Sequence, residues 1–131
     1  MPTKQYGVLP YVRRGGKAHL VLVTSRTSRS WIFPKGARVS GKSRRGTALQ
    51  EAFEEAGLIG RIDPQFQFRE IIVRQGRKIE LTVYALRVEK VLKRWPEQKQ
   101  RRRIVVPAGE AGKMVDCPQL RRCVKQWRRA S

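Results

Sequence analysis

Acidic residues are scarce in this sequence. Aspartate and glutamate together number 10, against 30 lysine and arginine residues, so the formal net charge of the 131-residue chain is +20 at pH 7. A field of this strength attracts polyanions, and its self-repulsion weakens a compact state unless anions are bound. We therefore expect a partner rich in phosphate. The charge alone does not distinguish a nucleic acid from a small polyphosphate, because counterion release favours both.

Histidine, cysteine and aromatic residues are also few. His19 is the single histidine and falls in a predicted strand, which favours a structural role and gives a Ser-His-Asp mechanism little support. Cys117 and Cys123 are six residues apart without a metal-site pattern, so we expect buried, reduced thiols. Aromatic residues make up 8 % of the chain, and the sequence shows no base-stacking platform for nucleic acids.

Long apolar runs and common nucleotide-binding motifs are missing as well. No run approaches the roughly 20 residues that span a bilayer, and the first residues lack the apolar centre of a secretory signal. We expect a cytoplasmic protein that does not bind membranes, folded as a single domain over residues 1–131. Rossmann, P-loop, helix-turn-helix, zinc-finger and RNP signatures do not occur. The oligomeric state is left open.

One helix is predicted over residues 43–57. Ser43 is a typical N-cap residue, and Gly57 stands where a left-handed C-terminal cap is favoured. Apolar side chains recur between them at helical spacing, and we expect this stripe to face a core. Its members are Ala48, Leu49, Ala52, Phe53 and Ala56.

Three glutamates cluster on this predicted helix. Glu51, Glu54 and Glu55 stand at positions i, i+3 and i+4, which places their carboxylates on one face within about 5–6 Å of one another. Like charges at this distance oppose folding unless a cation lies between them, and hard oxygen ligands suit Mg²⁺ or Mn²⁺. The alternative is a solvated acidic face. Because the chain concentrates three of its ten acidic residues here, we favour a divalent-metal site.

The stretch over residues 36–58 resembles the Nudix box, written G-x5-E-x7-R-E-U-x-E-E-x-G-U, in which U is a bulky aliphatic residue. A W-x-x-P-x-G pattern, which starts at Trp31, is similar to the segment that leads into the box in many Nudix proteins. The positions in register are Gly36, Glu51, Glu54, Glu55, Gly57 and Leu58. The departures are Lys42 for the first glutamate, Gln50 for the arginine and Ala52 for the aliphatic residue.

The resemblance implies an α/β fold, namely a Nudix-type α/β/α sandwich with a mixed, curved β-sheet between helices. It also implies that Glu51, Glu54 and Glu55 hold Mg²⁺, or Mn²⁺, together with the backbone carbonyl of Gly36. Glu51 either shares a metal ion or acts as the base on the attacking water. The substrate-binding candidates are Lys35, Lys42, Arg26 and Arg29, of which the two arginines are otherwise solvated surface residues.

Further hairpins and helices are predicted outside the box. They comprise strands over residues 4–12 and 18–24, 58–62, 68–74 and 78–88, and 101–106, and helices over residues 107–114 and 117–129. Pro10 suggests an edge position or a bulge in the first strand. Glu70 and Glu80 are predicted to pair with arginine or lysine on a neighbouring strand, and the alternative for each is an extra metal ligand or base.

The second half of the chain, around Glu110 and Ala111, resembles the diphosphoinositol and diadenosine polyphosphate hydrolase branch of the family. The function implied is Mg²⁺-dependent hydrolysis of a phosphoanhydride in a nucleoside or inositol diphosphate linked to another group. The positive charge favours highly phosphorylated substrates, such as a dinucleoside polyphosphate or an inositol pyrophosphate. The alternative is a catalytically weakened Nudix-fold module, consistent with Lys42 and Gln50, that binds RNA or another polyanion through its basic surface. The charge argues against a third reading, a protein-interaction domain.

Overall fold

The structure is a computed structural model that describes residues 2–131. Within that range it contains seven strands and three helices. The strands are β1 (Thr3–Arg14), β2 (Lys17–Thr24), β3 (Trp31–Ile32), β4 (Lys35–Ala37), β5 (Leu58–Arg74), β6 (Arg77–Val91) and β7 (Arg103–Pro107). The helices are α1 (Arg44–Ala56), α2 (Ala108–Met114) and α3 (Pro118–Ala130).

All seven strands form one mixed sheet. The strand order is β3-β2-β1-β6-β5, with β4 paired to β1 and β7 paired to β2. β1 and β6 run parallel, whereas the two predicted hairpins, β1–β2 and β5–β6, are antiparallel. Residues with positive φ form both hairpin turns: Gly15 and Gly16 in the first, Gln75 and Gly76 in the second. The predicted mixed sheet is therefore confirmed.

Helices cover both faces of the sheet. Side chains alternate along β6, so Tyr84 and Arg87 point to opposite faces. On one face, the guanidinium of Arg45 in α1 lies 5.6 Å from the Tyr84 ring centroid. On the other face, Tyr11, the register partner of Arg87, packs its ring 5.0 Å from that of Trp127 in α3. The predicted α/β/α sandwich is confirmed.

The apolar stripe predicted for α1 is partly wrong. Ala48, Ala52 and Ala56 are completely buried against the sheet, but Leu49 is 36 % exposed and Phe53 is 40 % exposed. Successive residues of a helix are rotated by about 100°, so a buried face centred on the three alanines leaves their C-terminal neighbours at its margin. The small alanines let α1 approach the sheet closely, and this approach brings its glutamates to the preceding loop.

Two strand predictions are also wrong. Pro10 lies neither on an edge nor at a bulge, because β1 runs between β2 and β6 and its pairing with β6 continues through Pro10 without a register shift. It falls between the residues of β1 that pair with β4 and those that pair with β2, a gap that tolerates a residue without a backbone N–H. The two strands predicted over residues 58–62 and 68–74 form one continuous strand, β5, with a register irregularity between Asp63 and Gln67.

The C-terminal elements lie within one or two residues of their predicted positions. Pro107 is the N-cap of α2, and Cys117 is the N-cap of α3. Cys123 is buried as expected, whereas Cys117 is only half-buried, and both are free thiols. Among residues 2–131, no helix combines the length and the apolar content that a membrane crossing requires.

Candidate active site

Helix α1 is fixed at both ends. Ser43 Oγ accepts a hydrogen bond from the Gly46 amide at 2.9 Å, which gives a partner to one of the unpaired amides of the first turn. Gly57 ends the helix in the left-handed conformation, with φ at 64°, and its amide donates to the Phe53 carbonyl at 3.0 Å. A Cβ at residue 57 would also lie 2.8 Å from Trp95 Cβ. Both predicted caps are confirmed.

The last turn of α1 receives two further hydrogen bonds. Trp95 Nε1 donates to the Glu55 carbonyl at 3.0 Å, and Arg103 Nη1 donates to the Ala56 carbonyl at 2.7 Å. The Arg103 guanidinium also lies 4.0 Å from the Trp95 ring centroid, which is a cation–π contact. These donors satisfy carbonyls that have no partner within the helix. The loop after β6 is thereby attached to the end of the helix that carries the glutamates.

Glu55 is the most buried of the three helix glutamates, with 5 % of its surface exposed. Its Oε1 accepts a hydrogen bond from the Lys35 amide at 3.2 Å. Its Oε2 lies 3.4 Å from Arg101 Nη2, in an ion pair whose two side chains are each 7 % exposed. The carboxylate is therefore held between β4 and the segment that precedes β7.

Glu51 lies beside Glu55, and their carboxyl groups share a hydrogen bond. Gly36 packs directly against Glu51: a Cβ added at Gly36 would lie 2.5 to 2.8 Å from the Glu51 carboxyl atoms. Any other residue at position 36 would displace that carboxylate. The loop and the helix approach each other this closely because residue 36 has no side chain.

Burial raises the pKa of both carboxyl groups, whereas the hydrogen bond between them raises the pKa of Glu55 and lowers that of Glu51. Burial, together with the hydrogen bond to Glu51 and its charge, raises the pKa of Glu55 to about 8, although Arg101 opposes the shift. Burial, together with the charges of Glu54 and Glu97, raises the pKa of Glu51. At neutral pH the metal-free pair therefore retains a proton and titrates as a unit. A divalent cation would remove the repulsion that keeps this proton bound.

Glu54 has a different partner. Its Oε1 accepts a hydrogen bond from Gln50 Nε2 at 2.6 Å, so the residue that replaces the arginine of the box binds one of the predicted metal ligands. Within the described range, no three histidine, cysteine, aspartate or glutamate side chains converge closely enough to hold a metal ion. Ligation by all three glutamates stays a prediction, and it requires the three carboxylates to move closer together.

Arg101 and Glu97 also belong to this site, although the sequence did not predict either of them as a site residue. Arg101 Nε donates to Glu97 Oε1 at 2.8 Å, and Arg101 Nη1 donates to the Thr24 carbonyl at 2.9 Å. With its ion pair to Glu55, one guanidinium connects β2, the loop after β6 and α1. The Glu97 amide also donates to the Glu54 carbonyl at 3.0 Å. The i, i+4 spacing of the glutamate and the arginine was the available signal, but it did not indicate their proximity to α1.

The four predicted substrate-binding residues have different surroundings. They are Lys35, Arg26, Arg29 and Lys42. The ammonium of Lys35 donates to Gln5 Oε1 at 3.4 Å, and burial together with the charge of Arg74 lowers its pKa. Arg26 is exposed and donates to Gln100 Oε1 at 3.3 Å, and the other two side chains are exposed. Of the four, Lys35 is the one that the structure hydrogen-bonds to a helix glutamate, through its backbone amide.

Glu70 and Glu80 are engaged in ion pairs elsewhere. Glu80 Oε1 lies 3.3 Å from Arg69 Nη2 across the β5–β6 hairpin, so the predicted cross-strand pair is confirmed. Glu70 Oε2 lies 3.0 Å from Arg122 Nη2, so this glutamate also pairs with an arginine. Its partner belongs to α3 rather than to a neighbouring strand, which corrects the prediction.

The side chains near the C-terminal end of α1 fit a divalent cation. Glu51 and Glu55 present carboxylate oxygens, the hard ligands that Mg²⁺ and Mn²⁺ prefer. The raised pKa of Glu55 marks a place where positive charge is favourable, and the missing side chain at Gly36 lets the Glu51 carboxyl group lie against the loop backbone. The residues that would hold the metal are these two glutamates, the Gly36 carbonyl and Glu54.

Curated proteins of similar sequence are Nudix hydrolases. Nudix hydrolase 4 of Arabidopsis thaliana is 32 % identical over 98 residues, which cover 70 % of this chain and 45 % of that protein. Diphosphoinositol polyphosphate phosphohydrolase 2 of Homo sapiens is 30 % identical over 100 residues, which cover 75 % of this chain and 54 % of that protein. The chain spans about half the length of these relatives. No protein-family model matches it.

Solved structures of Nudix proteins share the fold. The C. elegans Ap4A hydrolase superposes with a TM-score of 0.82 at 17 % identity, over 97 % of this chain and 96 % of that one. A Nudix hydrolase from Nitrosomonas europaea superposes with a TM-score of 0.77 at 15 % identity, over 99 % of this chain and 90 % of that one. At these identities the likeness shows the fold alone.

Proposed function

We propose that this chain, which belongs among the Nudix hydrolases by sequence and fold, is a divalent-metal-dependent hydrolase of phosphoanhydride bonds. The observation that carries the proposal is the pair formed by the half-buried Glu51 and the buried Glu55 beside Gly36. This pair places two hard ligands, whose negative charges oppose each other, against the loop backbone of the box. Mg²⁺ is the metal that we propose, with Mn²⁺ as its substitute.

The protein's own residues would divide the work. A bound cation would supply Lewis-acid activation of the phosphoanhydride and of the attacking water. Glu51 or Glu55 would accept the proton of that water, and the pKa of about 8 that Glu55 has without metal shows that this environment favours proton binding near neutral pH. Arg101 would keep Glu55 oriented, and Lys35 with the basic loops would position the phosphates.

The substrate class that we propose is a molecule with many phosphates, such as a dinucleoside polyphosphate or an inositol pyrophosphate. The net charge of +20 supports this choice, because cationic surroundings favour highly charged anions. The relatives support it too, since one is a diphosphoinositol polyphosphate phosphohydrolase and one structural neighbour is an Ap4A hydrolase.

The test is phosphate release from diadenosine polyphosphates, an inositol pyrophosphate, nucleoside triphosphates and a 5′-triphosphate RNA, each with and without Mg²⁺. We expect turnover that depends on the metal and falls about 10³-fold in Glu55→Gln, because the substitution removes a ligand or base but keeps the shape. Glu110→Gln is the matched control. Glu110 is exposed, pairs only loosely with Lys113 at 3.8 Å, and should keep full activity.

A binding module without turnover is the second candidate. The arrangement of the acidic side chains favours it, because within residues 2–131 no three histidine, cysteine, aspartate or glutamate side chains converge closely enough to hold a metal ion. Such a module would release no phosphate from any member of the panel with Mg²⁺ or Mn²⁺, and its affinity for polyanions would be the same in Glu55→Gln. That result would exclude the hydrolase.

A further inference from the structure

A basic groove lies between α2 and α3, on the side of the sheet that α1 does not cover. Its volume is about 440 Å³, and four of its six lining residues are cationic while none is acidic. The lining residues are Gly112, Arg121, Val124, Lys125, Arg128 and Arg129. The four cationic side chains, which we call the α3 basic row, are all exposed.

The α3 basic row follows one face of its helix. Arg121, Lys125, Arg128 and Arg129 stand at i, i+4, i+7 and i+8, so they extend over about 12 Å of helix axis. The sequence of α3 contains no aspartate or glutamate, so no acidic neighbour on the helix neutralises the row. A row of this kind repels itself unless an extended anion lies along it.

One arginine of the row is held in place by a hydrogen bond, and a second lies beside α2. Arg121 Nε donates to the Val115 carbonyl at 2.7 Å, which fixes the guanidinium at the start of the groove. The Arg128 guanidinium lies over Gly109 of α2, where an added Cβ would be 3.6 Å from Nη1. Arginines that are already positioned lose less conformational entropy when they bind phosphate.

The surroundings of the row favour a nucleic acid over a membrane. A helix that binds membranes exposes large apolar side chains beside its basic ones, but Leu120, Val124 and Trp127 of α3 are at most 3 % exposed. The burial of Trp127 also removes the aromatic platform on which single-stranded bases stack. What remains is recognition of phosphates at fixed spacing, as in sequence-independent contact with a duplex backbone.

We propose that the α3 basic row binds the phosphate backbone of duplex nucleic acid, independently of base sequence and of the site on α1. The proposal does not rest on hydrolysis. The probe is a fluorescein-labelled 20-base-pair DNA duplex, whose anisotropy is titrated with the protein in EDTA at several NaCl concentrations. The groove variant is Arg121→Gln/Lys125→Gln/Arg128→Gln/Arg129→Gln.

The matched control removes four positive charges from exposed hairpin positions, as Arg14→Gln/Lys17→Gln/Arg77→Gln/Lys78→Gln. At about 0.1 M salt we expect the groove variant to bind the duplex at least tenfold more weakly than the control variant does. The decrease of log K with log salt should also be less steep in the groove variant than in the control, by about 3 to 4 in the magnitude of the slope. Equal loss in both variants would overturn the proposal, because the net charge alone would then explain binding. The proposal would also be overturned if the wild type bound phosphatidylserine vesicles but not the duplex, and if the groove variant lost the binding to the vesicles.

A second variant removes the risk that lost contacts distort the helix. Lys125→Glu/Arg129→Glu leaves the Arg121 and Arg128 contacts intact and reverses two charges of the row. Its circular dichroism spectrum should match that of the wild type, and its duplex affinity should fall by at least tenfold. A folded double variant with unchanged affinity would refute the assignment of the row.

Discussion

Helices α1 and α3 both have 13 residues and cover opposite faces of one sheet, yet their charged side chains differ in how they are paired. On α1, the protein supplies a partner to the most buried charge, since Glu55 is in contact with Arg101 and with the Lys35 amide. On α3, five basic residues occur without an acidic one, and four of them line an open groove. The most buried charge of α1 is therefore paired within the molecule, whereas four of the five basic residues of α3 lie open to a partner outside it.

The largest effect is expected from removing Arg101, the basic residue that contacts Glu55 of α1. In Arg101→Gln, Glu55 and Glu97 lose their buried partner and the Thr24 carbonyl loses its donor. We expect the free energy of unfolding to fall by about 1–3 kcal/mol, because buried acceptors lose their donor while Glu55, with a pKa of about 8, stays protonated at neutral pH. Hydrolysis should fall by more than tenfold, because Glu55 is no longer oriented. Urea denaturation and phosphate release measure the two effects.

Arg26→Gln is the control for this variant. Arg26 is also a loop arginine, but it is exposed and contacts only the Gln100 side chain. Its substitution should change the free energy of unfolding by less than about 0.5 kcal/mol. If Arg101→Gln is no less stable than Arg26→Gln, the buried guanidinium does not organise the site.

The second prediction concerns the pH dependence of stability without metal. Glu55 has a pKa of about 8 in the folded protein and an ordinary value of 4.5, so the folded state binds more protons than the unfolded state between these values. The free energy of unfolding should therefore decrease as pH rises through this window, by at most about 1.4 kcal/mol per pH unit. Thermal denaturation in EDTA from pH 5 to pH 8.5 measures it.

Glu55→Gln tests the origin of this pH dependence. The amide has the shape of the protonated acid and does not titrate, so the variant should be nearly insensitive to pH over the same window. Added Mg²⁺ should raise the melting temperature of the wild type more at pH 8 than at pH 5.5, because the metal binds the ionised pair. A variant that keeps the wild-type slope would assign the titration to another group.

The sequence was sufficient to predict the local features of α1 but not its long-range partners. Ser43 and Gly57 are local signals, and they placed both ends of the helix correctly. Arg101 is 46 positions from Glu55, and in a chain with 30 basic residues no local pattern indicates which one reaches a given carboxylate. The exposure of Phe53 was missed for a related reason, since the direction of the buried face depends on what the helix packs against.

The third prediction concerns the repulsion between the basic side chains of α3. In Lys125→Gln/Arg129→Gln, two mutually repelling charges are removed without loss of the contacts of Arg121 and Arg128. We expect the free energy of unfolding to rise by about 1 kcal/mol at low ionic strength, and the gain to disappear near 1 M salt, where the Debye length is about 3 Å. Urea denaturation at two salt concentrations decides it. A destabilised variant would mean that the α3 basic row makes stabilising contacts within the protein, as Glu55 of α1 does.

The smallest effect is expected for the ion pair that α3 does make. Arg122 Nη2 and Glu70 Oε2 are 3.0 Å apart, closer than Arg101 and Glu55 at 3.4 Å, but the side chains of the α3 pair are 52 % and 31 % exposed. Water and salt screen such a pair, so Arg122→Gln should cost less than about 1 kcal/mol in urea denaturation. Because the shorter pair should matter less, the two substitutions separate the effect of burial from that of distance. A loss as large as that of Arg101→Gln would mean that α3, too, depends on a partner within the fold.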